Sequence, residues 1–159
     1  MKARAALAAL AALAALCLLA SPARATLDLE LPTLDGRRLQ RLNAQTGPVL
    51  LNVWSADCPP CVAELPLLQA FARQHPEWQV WLLSVDPPEP ARAAARRHGL
   101  VAPLHLLRAD RSGAGLLRSL QGRGLPHSAG WRGGQLCARH TGMLQPVSLG
   151  HLKAACDGG

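Results

Sequence analysis

Residues 49–66 read VLLNVWSADCPPCVAELP. The run from residue 48 to 55 is almost continuously apolar, as a strand buried on both faces of a sheet requires. Two cysteines follow at once, Cys58 and Cys61, with Pro59 and Pro60 between them. From residue 59 to about 74 the apolar residues Val62, Leu65, Leu68 and Phe71 fall at helical spacing. The stretch therefore predicts a buried strand, a short loop and a helix, with a dithiol at the junction.

Such a pair can bind a metal, staple a loop or exchange disulfides. Structural zinc takes four N or S ligands, often as two separated pairs. Only one close pair is present; Cys137 and Cys156 stand far apart, and His127, His140 and His151 hold no ligand spacing to Cys58. Copper(I), which soft thiolates select, is the metal to consider in an exported chain. As a staple the pair is poor, because a two-residue loop restrains the unfolded chain weakly. Cys137 and Cys156 close a longer loop, and a bond joining the last strand to the last helix is expected there. Buried unpaired cysteines, or a free Cys156, are the alternatives.

Position favours exchange. A helix N-terminus offers unpaired N–H groups and a partial positive charge, and both favour thiolate over thiol. The prolines fit early helix positions, which lose nothing when an N–H is missing. Cys58 would attack, and Cys61, one helical turn on, would resolve the mixed disulfide.

The rest of the chain bounds the setting. Lys2 and Arg4 precede an apolar run over residues 5–20, then Ser21-Pro22 and Ala23-Arg24-Ala25. That order is a signal peptide ending near residue 25, and Cys17 would leave with it; retention as a membrane anchor is the lesser reading, because the run is short of about 20 apolar residues. Without its first 25 residues the 159-residue chain keeps 134, enough for one domain. It then carries 14 of its 17 basic residues against 10 acidic ones, scattered, with one Phe, no Tyr and four Trp. Nothing suggests a basic strip with stacking aromatics, so nucleic-acid binding is not expected. Export leaves disulfides able to persist.

Along the chain, residues 27–40 predict a small hairpin around Asp35-Gly36. Residues 78–85 read as a second buried strand, 90–99 as a helix closed by Gly99, and 103–110 as a short strand. Residues 113–122 predict a short helix. HSAGW and QLCARHT, around Gly133-Gly134, look like a hairpin, and residues 147–156 a terminal helix. Alternation of this kind predicts a central mixed sheet with helices on its faces.

The 49–66 segment resembles the active-site segment of thioredoxin-fold thiol-disulfide oxidoreductases, in particular the exported TlpA/ResA-like group. Shared features are the strand ending Asn52-Val53-Trp54, the CPPC motif, and Glu64 and Pro66 beyond it. GRGLPHSAGWRGGQL and RHTGMLQPVSLGHLKAAC resemble the group's cis-proline segment and its last strand and helix, so the likeness runs over residues 27–156. It implies a thioredoxin-like α/β fold with an N-terminal hairpin extension. It makes Cys58, Cys61 and Glu64 catalytic, Glu64 as a buried or half-buried acid that moves protons. Trp54, Asp57, Pro59 and Pro60 would form the active-site loop. Pro126 would be the cis-proline, and Leu125, Pro126 and His127 would meet substrate; Pro66 would kink the helix. Asn52 stands where cytosolic thioredoxins carry a buried aspartate.

Two residues depart from the group's pattern. Asp57 beside the nucleophile disfavours the thiolate and suits a reductant. His127 replaces the usual threonine after the cis-proline and would favour the thiolate when charged, or contact a partner. The expectation is a monomeric periplasmic or secreted oxidoreductase that acts on protein disulfides of the cell envelope, cytochrome c maturation among its roles. A membrane thiol donor would lie upstream. No cofactor or metal is expected beyond the Cys58–Cys61 disulfide. The alternatives are a copper(I) delivery protein using Cys58, Cys61 and His127, and an inert binding module of the same fold.

Overall fold

A computed structural model describes residues 29–110 and 113–158. The leader read at residues 1–25 lies outside them. Among the described residues no helix is long and apolar enough to cross a membrane.

Five strands form the central sheet in the order β5-β4-β3-β6-β7. The innermost is β3 (Val49–Trp54), all six residues buried. It pairs in parallel with β4 (Gln79–Ser84), which pairs in parallel with β5 (His105–Arg108). On its other side β3 meets β6 (His127–Arg132) antiparallel, with Asn52 opposite Ser128 and Val53 opposite His127. The hairpin partner of β6 is β7 (Gln135–Thr141). Gly133 and Gly134 make their turn at φ +57° and +75°, the left-handed geometry that matches strand twist in a tight hairpin.

Parallel strands need crossovers, and these are the helices α1 (Pro59–Gln74) and α2 (Pro88–Arg97). Both move the chain the same way across the sheet, so right-handed crossing sets them on one face. Leu65, Leu68 and Phe71 of α1 and Ala91, Ala94 and Ala95 of α2 pack there, joined by Leu149, Leu152 and Cys156 of the terminal helix α4 (Pro146–Asp157). The link from β5 back to β6 crosses the other face. There α3 (Gly113–Ser119) buries Leu116 with Trp81, Leu83 and Trp131.

The predicted N-terminal hairpin is present as β1 (Glu30–Pro32) and β2 (Leu39–Arg41), held across by the Glu30–Arg41 ion pair. Beyond β1, the Leu34 N–H donates to the Leu106 carbonyl at 2.8 Å, and Thr33 bridges Leu107. The extension thus covers part of the β5 edge, which would otherwise present open ladder groups.

Element boundaries shift from the sequence expectations where prolines and turns decide them. α2 begins at Pro88 rather than residue 90, since a proline suits the first turn. Gly99 closes it at φ +60°. α3 stops at Ser119, and Gln121 turns the chain with a positive φ of 58°. Pro66 lies inside α1, which runs on to Gln74.

One close approach ties α4 to the sheet. Cys137 of β7 and Cys156 of α4 are bonded, with Cα atoms 5.0 Å apart. Gly130 on β6 lies beneath the bond; a Cβ there would stand 2.6 Å from Cys156 Sγ and 3.1 Å from Leu152. Helix and disulfide can seat only on a bare backbone. Gly130→Ala should therefore destabilise the fold by about 1–3 kcal/mol, the usual cost of overpacking. Urea unfolding checks this, and an unchanged midpoint would refute the packing argument.

Candidate active site

The sheet delivers the dithiol through β3. Three loop residues after Trp54, Cys58 caps α1 in an extended conformation, and its Sγ accepts from the Cys61 N–H at 3.3 Å. The two sulfurs are bonded. Cys58 is half-buried and Cys61 wholly buried, so a partner reaches only the outer sulfur. Pro59 and Pro60 are exposed in the first turn, as is Asp57 before them. Trp54 is buried at the end of β3.

Glu64 follows Cys61 by three positions, which places both on one face of α1. It is 1 % exposed. One carboxylate oxygen accepts from Asn52 Nδ2 at 2.6 Å and the other from the Leu144 N–H at 2.5 Å. Asn52 also donates to Ser128 Oγ at 2.9 Å, while its Oδ1 has no partner among the described residues. Burial raises the Glu64 carboxyl above the ordinary range; the bonds from Leu144 and Asn52 pull it partly back. A buried acid of raised proton affinity beside a buried sulfur can hold and release a proton where water cannot reach.

The Leu125–Pro126 bond is cis, as is Ala102–Pro103, which the sequence reading did not single out. Pro126 immediately precedes His127, whose register partner is Val53, so it lies at the same end of the sheet as the dithiol. Its carbonyl accepts from the Gly142 N–H at 2.8 Å. Leu125 is half-buried, exposing part of the segment beside the cis bond.

His127 is not placed as its sequence position suggested. Neighbouring strand residues face opposite ways; Ser128 points toward Asn52 and Glu64, so His127 points to the α3 face. It is 1 % exposed, with Nδ1 3.0 Å from Thr141 Oγ and Nε2 3.2 Å from the Leu120 carbonyl. Burial lowers its imidazole below the usual histidine range, opposed by the Leu120 bond. A ring with both nitrogens engaged inside the protein neither meets substrate nor completes a copper site with Cys58 and Cys61. Among the described residues no cluster of three or more His, Cys, Asp or Glu could hold a metal ion. His140 and His151 line a separate 260 Å³ hollow between β7 and α4.

Asp86, at the end of β4, escaped the sequence reading. Its Oδ1 accepts from Ser55 Oγ at 2.6 Å; its Oδ2 accepts from the Ala56 N–H at 2.7 Å and from Ser84 Oγ at 2.9 Å. The available signal was its place just past a parallel strand, where loops at carboxyl ends build sites.

These features define a thioredoxin-like fold with a dithiol at a helix mouth, and comparison with known proteins agrees. The AhpC/TSA family matches residues 22–114, more than half of the chain, which belongs to that family. The chain is also similar to thiol-disulfide oxidoreductase ResA of Halalkalibacterium halodurans, 28% identical over 89 residues, or 54% of this chain and 51% of ResA. It thus spans about half the length of the curated relative it matches. Among solved structures, MTB dsbF superposes with a TM-score of 0.69 at 20% identity, covering 82% of this chain and 96% of the other. The exposed lipoprotein thioredoxin Etrx1 of Streptococcus pneumoniae gives 0.64 at 26% identity, covering 80% and 99%. The TlpA/ResA-like resemblance and the thioredoxin-like fold expected from it are thereby borne out.

Proposed function

We propose that this chain is an exported thiol-disulfide oxidoreductase that reduces or exchanges disulfides in other cell-envelope proteins. The observation that carries this reading is the asymmetry of the pair: Cys58 reachable at the start of α1, Cys61 enclosed beside the buried Glu64. The Cys137–Cys156 bond also joins a half-buried to an enclosed residue, but Cys137 lies within β7, without the free amides of a helix start. The kinship with ResA supports the same activity.

In the reduced protein the Cys58 thiolate attacks one sulfur of a partner's disulfide, and the partner's other sulfur leaves with the electron pair. Cys61 then gives its proton to Glu64 and attacks Cys58. The Cys58–Cys61 bond forms and the partner leaves with the two electrons of the cysteines; its two sulfurs take up the proton that Glu64 received and one from water, which had taken the Cys58 proton. A membrane thiol donor would reverse the cycle. Backbone groups of Leu125, beside Pro126, would steady the partner peptide as an added strand does. A periplasmic or secreted setting belongs to the same proposal and is supported by the leader-like order of residues 2–25; a monomeric state and a use in cytochrome c maturation are proposed with it.

Equilibration against dithiothreitol and glutathione buffers tests the direction. The expected potential lies well below the roughly −120 mV of a strong periplasmic oxidant. A value at that level would overturn the reductant assignment.

A further inference from the structure

Resting on that reading, we propose that Asp86 is the positioning residue of the nucleophile loop: its carboxylate sets the path of residues 55–57 and thereby the presentation of Cys58 to a protein disulfide. The argument comes from where the loop's amides go. The Ala56 N–H donates directly to Asp86 Oδ2. The Asp57 N–H donates to Ser55 Oγ at 3.3 Å, and that hydroxyl in turn donates to Asp86 Oδ1. The Cys58 N–H donates to the Ser55 carbonyl at 3.3 Å. Every amide from residue 56 to 58 therefore ends on Asp86 or on Ser55, which Asp86 orients.

The carboxylate is itself held. Its second oxygen accepts from Ser84 Oγ, and the Asp86 N–H donates back to that hydroxyl at 3.1 Å. Ser84 is 1 % exposed at the end of β4 and lies opposite Trp54 in the ladder, while the Val85 N–H donates to the Trp54 carbonyl at 3.1 Å. The anchor is fixed to the sheet, and the loop is fixed to the anchor. Bonds to a charged acceptor are the stronger kind, so one side chain converts a three-residue connection into a rigid mount. Asp86 contacts neither sulfur; it acts through the loop.

Two substitutions separate this role from a charge effect. Asp86→Ala removes all the acceptors. Asp86→Asn removes the charge but keeps the oxygen that takes the Ala56 N–H and the Ser84 hydroxyl, and it reverses the link to Ser55, whose hydroxyl then accepts from the amide nitrogen. Reduction of insulin disulfides should fall about 10- to 100-fold in D86A, the scale of a misplaced reacting group, and recover to within about threefold of the parent in D86N. Iodoacetamide alkylation of reduced Cys58, measured well above its titration midpoint, needs no docked geometry and should change by less than about threefold in both variants. A merely structural role would instead lower insulin reduction in step with the folded fraction and open the enclosed Cys61 to alkylation.

Full insulin reduction by D86A, equal slowing in D86N and D86A, or new alkylation of Cys61 in step with the lost activity would each overturn the proposal. Should D86A fail to fold, Ser55→Ala carries the test, because it cuts the link to the Asp57 amide; an unchanged rate in S55A would also overturn it. Failure of the parent protein to reduce insulin would sink the oxidoreductase reading instead, so the two failures are distinguishable.

Discussion

Cys61→Ala yields a protein that reacts but does not let go. Cys58 keeps its half-exposed place at the start of α1 and still attacks a partner's disulfide. The second sulfur that would attack Cys58 is gone, so the mixed disulfide persists. Turnover should drop by at least about 10³-fold, since loss of a member of a concerted catalytic set costs on this scale. Proteins of the envelope should be recovered covalently bound through Cys58, and dithiothreitol should release them. Cys58→Ala should trap nothing, because Cys61 is fully enclosed. Non-reducing gels followed by peptide identification read the result; an equal yield of adducts from both variants would contradict the assignment of roles.

Glu64→Gln is the second large effect. The glutamine oxygen keeps the Leu144 N–H partnered, and its NH2 can donate to Asn52 Oδ1 once that amide turns over, so the change removes mainly the proton-accepting carboxylate. If Glu64 accepts the Cys61 proton, resolution of the mixed disulfide should slow by about 10²-fold, at the low end of general-base contributions. Stopped-flow measurement of mixed-disulfide decay isolates that step; decay within twofold of the parent would remove Glu64 from the mechanism.

Stability should report the same group with a definite sign. Its folded proton affinity exceeds that of an unfolded glutamate, near 4.3. Below that pH both states are protonated and the stabilising contribution is fully present. As pH rises through the raised folded value, the unfolded chain has already released the proton and the contribution is lost. Parent stability should therefore carry a downward component above about pH 4.3 that E64Q lacks. Parallel pH profiles from urea unfolding would contradict the raised affinity.

The core strands and the dithiol were legible because their signals are local. Residues 48–55 leave little choice but a doubly buried strand, and the cysteines and prolines after them match the electrostatics and missing donors of a helix start. Glu64 was legible only through its motif, since a helix carboxylate three positions from a cysteine could equally face solvent.

What escaped was non-local. The position of His127 beside the cis-proline suggested a partner contact, but strand parity, set by the pairing of Ser128 with Asn52, turns it to the other face. Asp86 is separated by 30 residues from Ala56, whose amide it holds, and only the β3–β4 ladder brings the two together. The need for a bare backbone at Gly130 arises from a helix that begins 16 residues later and cannot be read from its neighbours.

The bond between Cys137 and Cys156 bears on how electrons are routed. Two cystines coexist in one small molecule, and an incoming reductant must discriminate between them. Each has one enclosed residue, Cys61 or Cys156, and one half-buried residue, Cys58 or Cys137, but Cys58 stands at a helix start whereas Cys137 lies within β7. Position on the backbone, a helix mouth against a strand interior, therefore separates a currency that circulates from a reserve that does not. While that bond is closed it tethers α4 to β7, and α4 begins two residues after Leu144, whose amide holds Glu64.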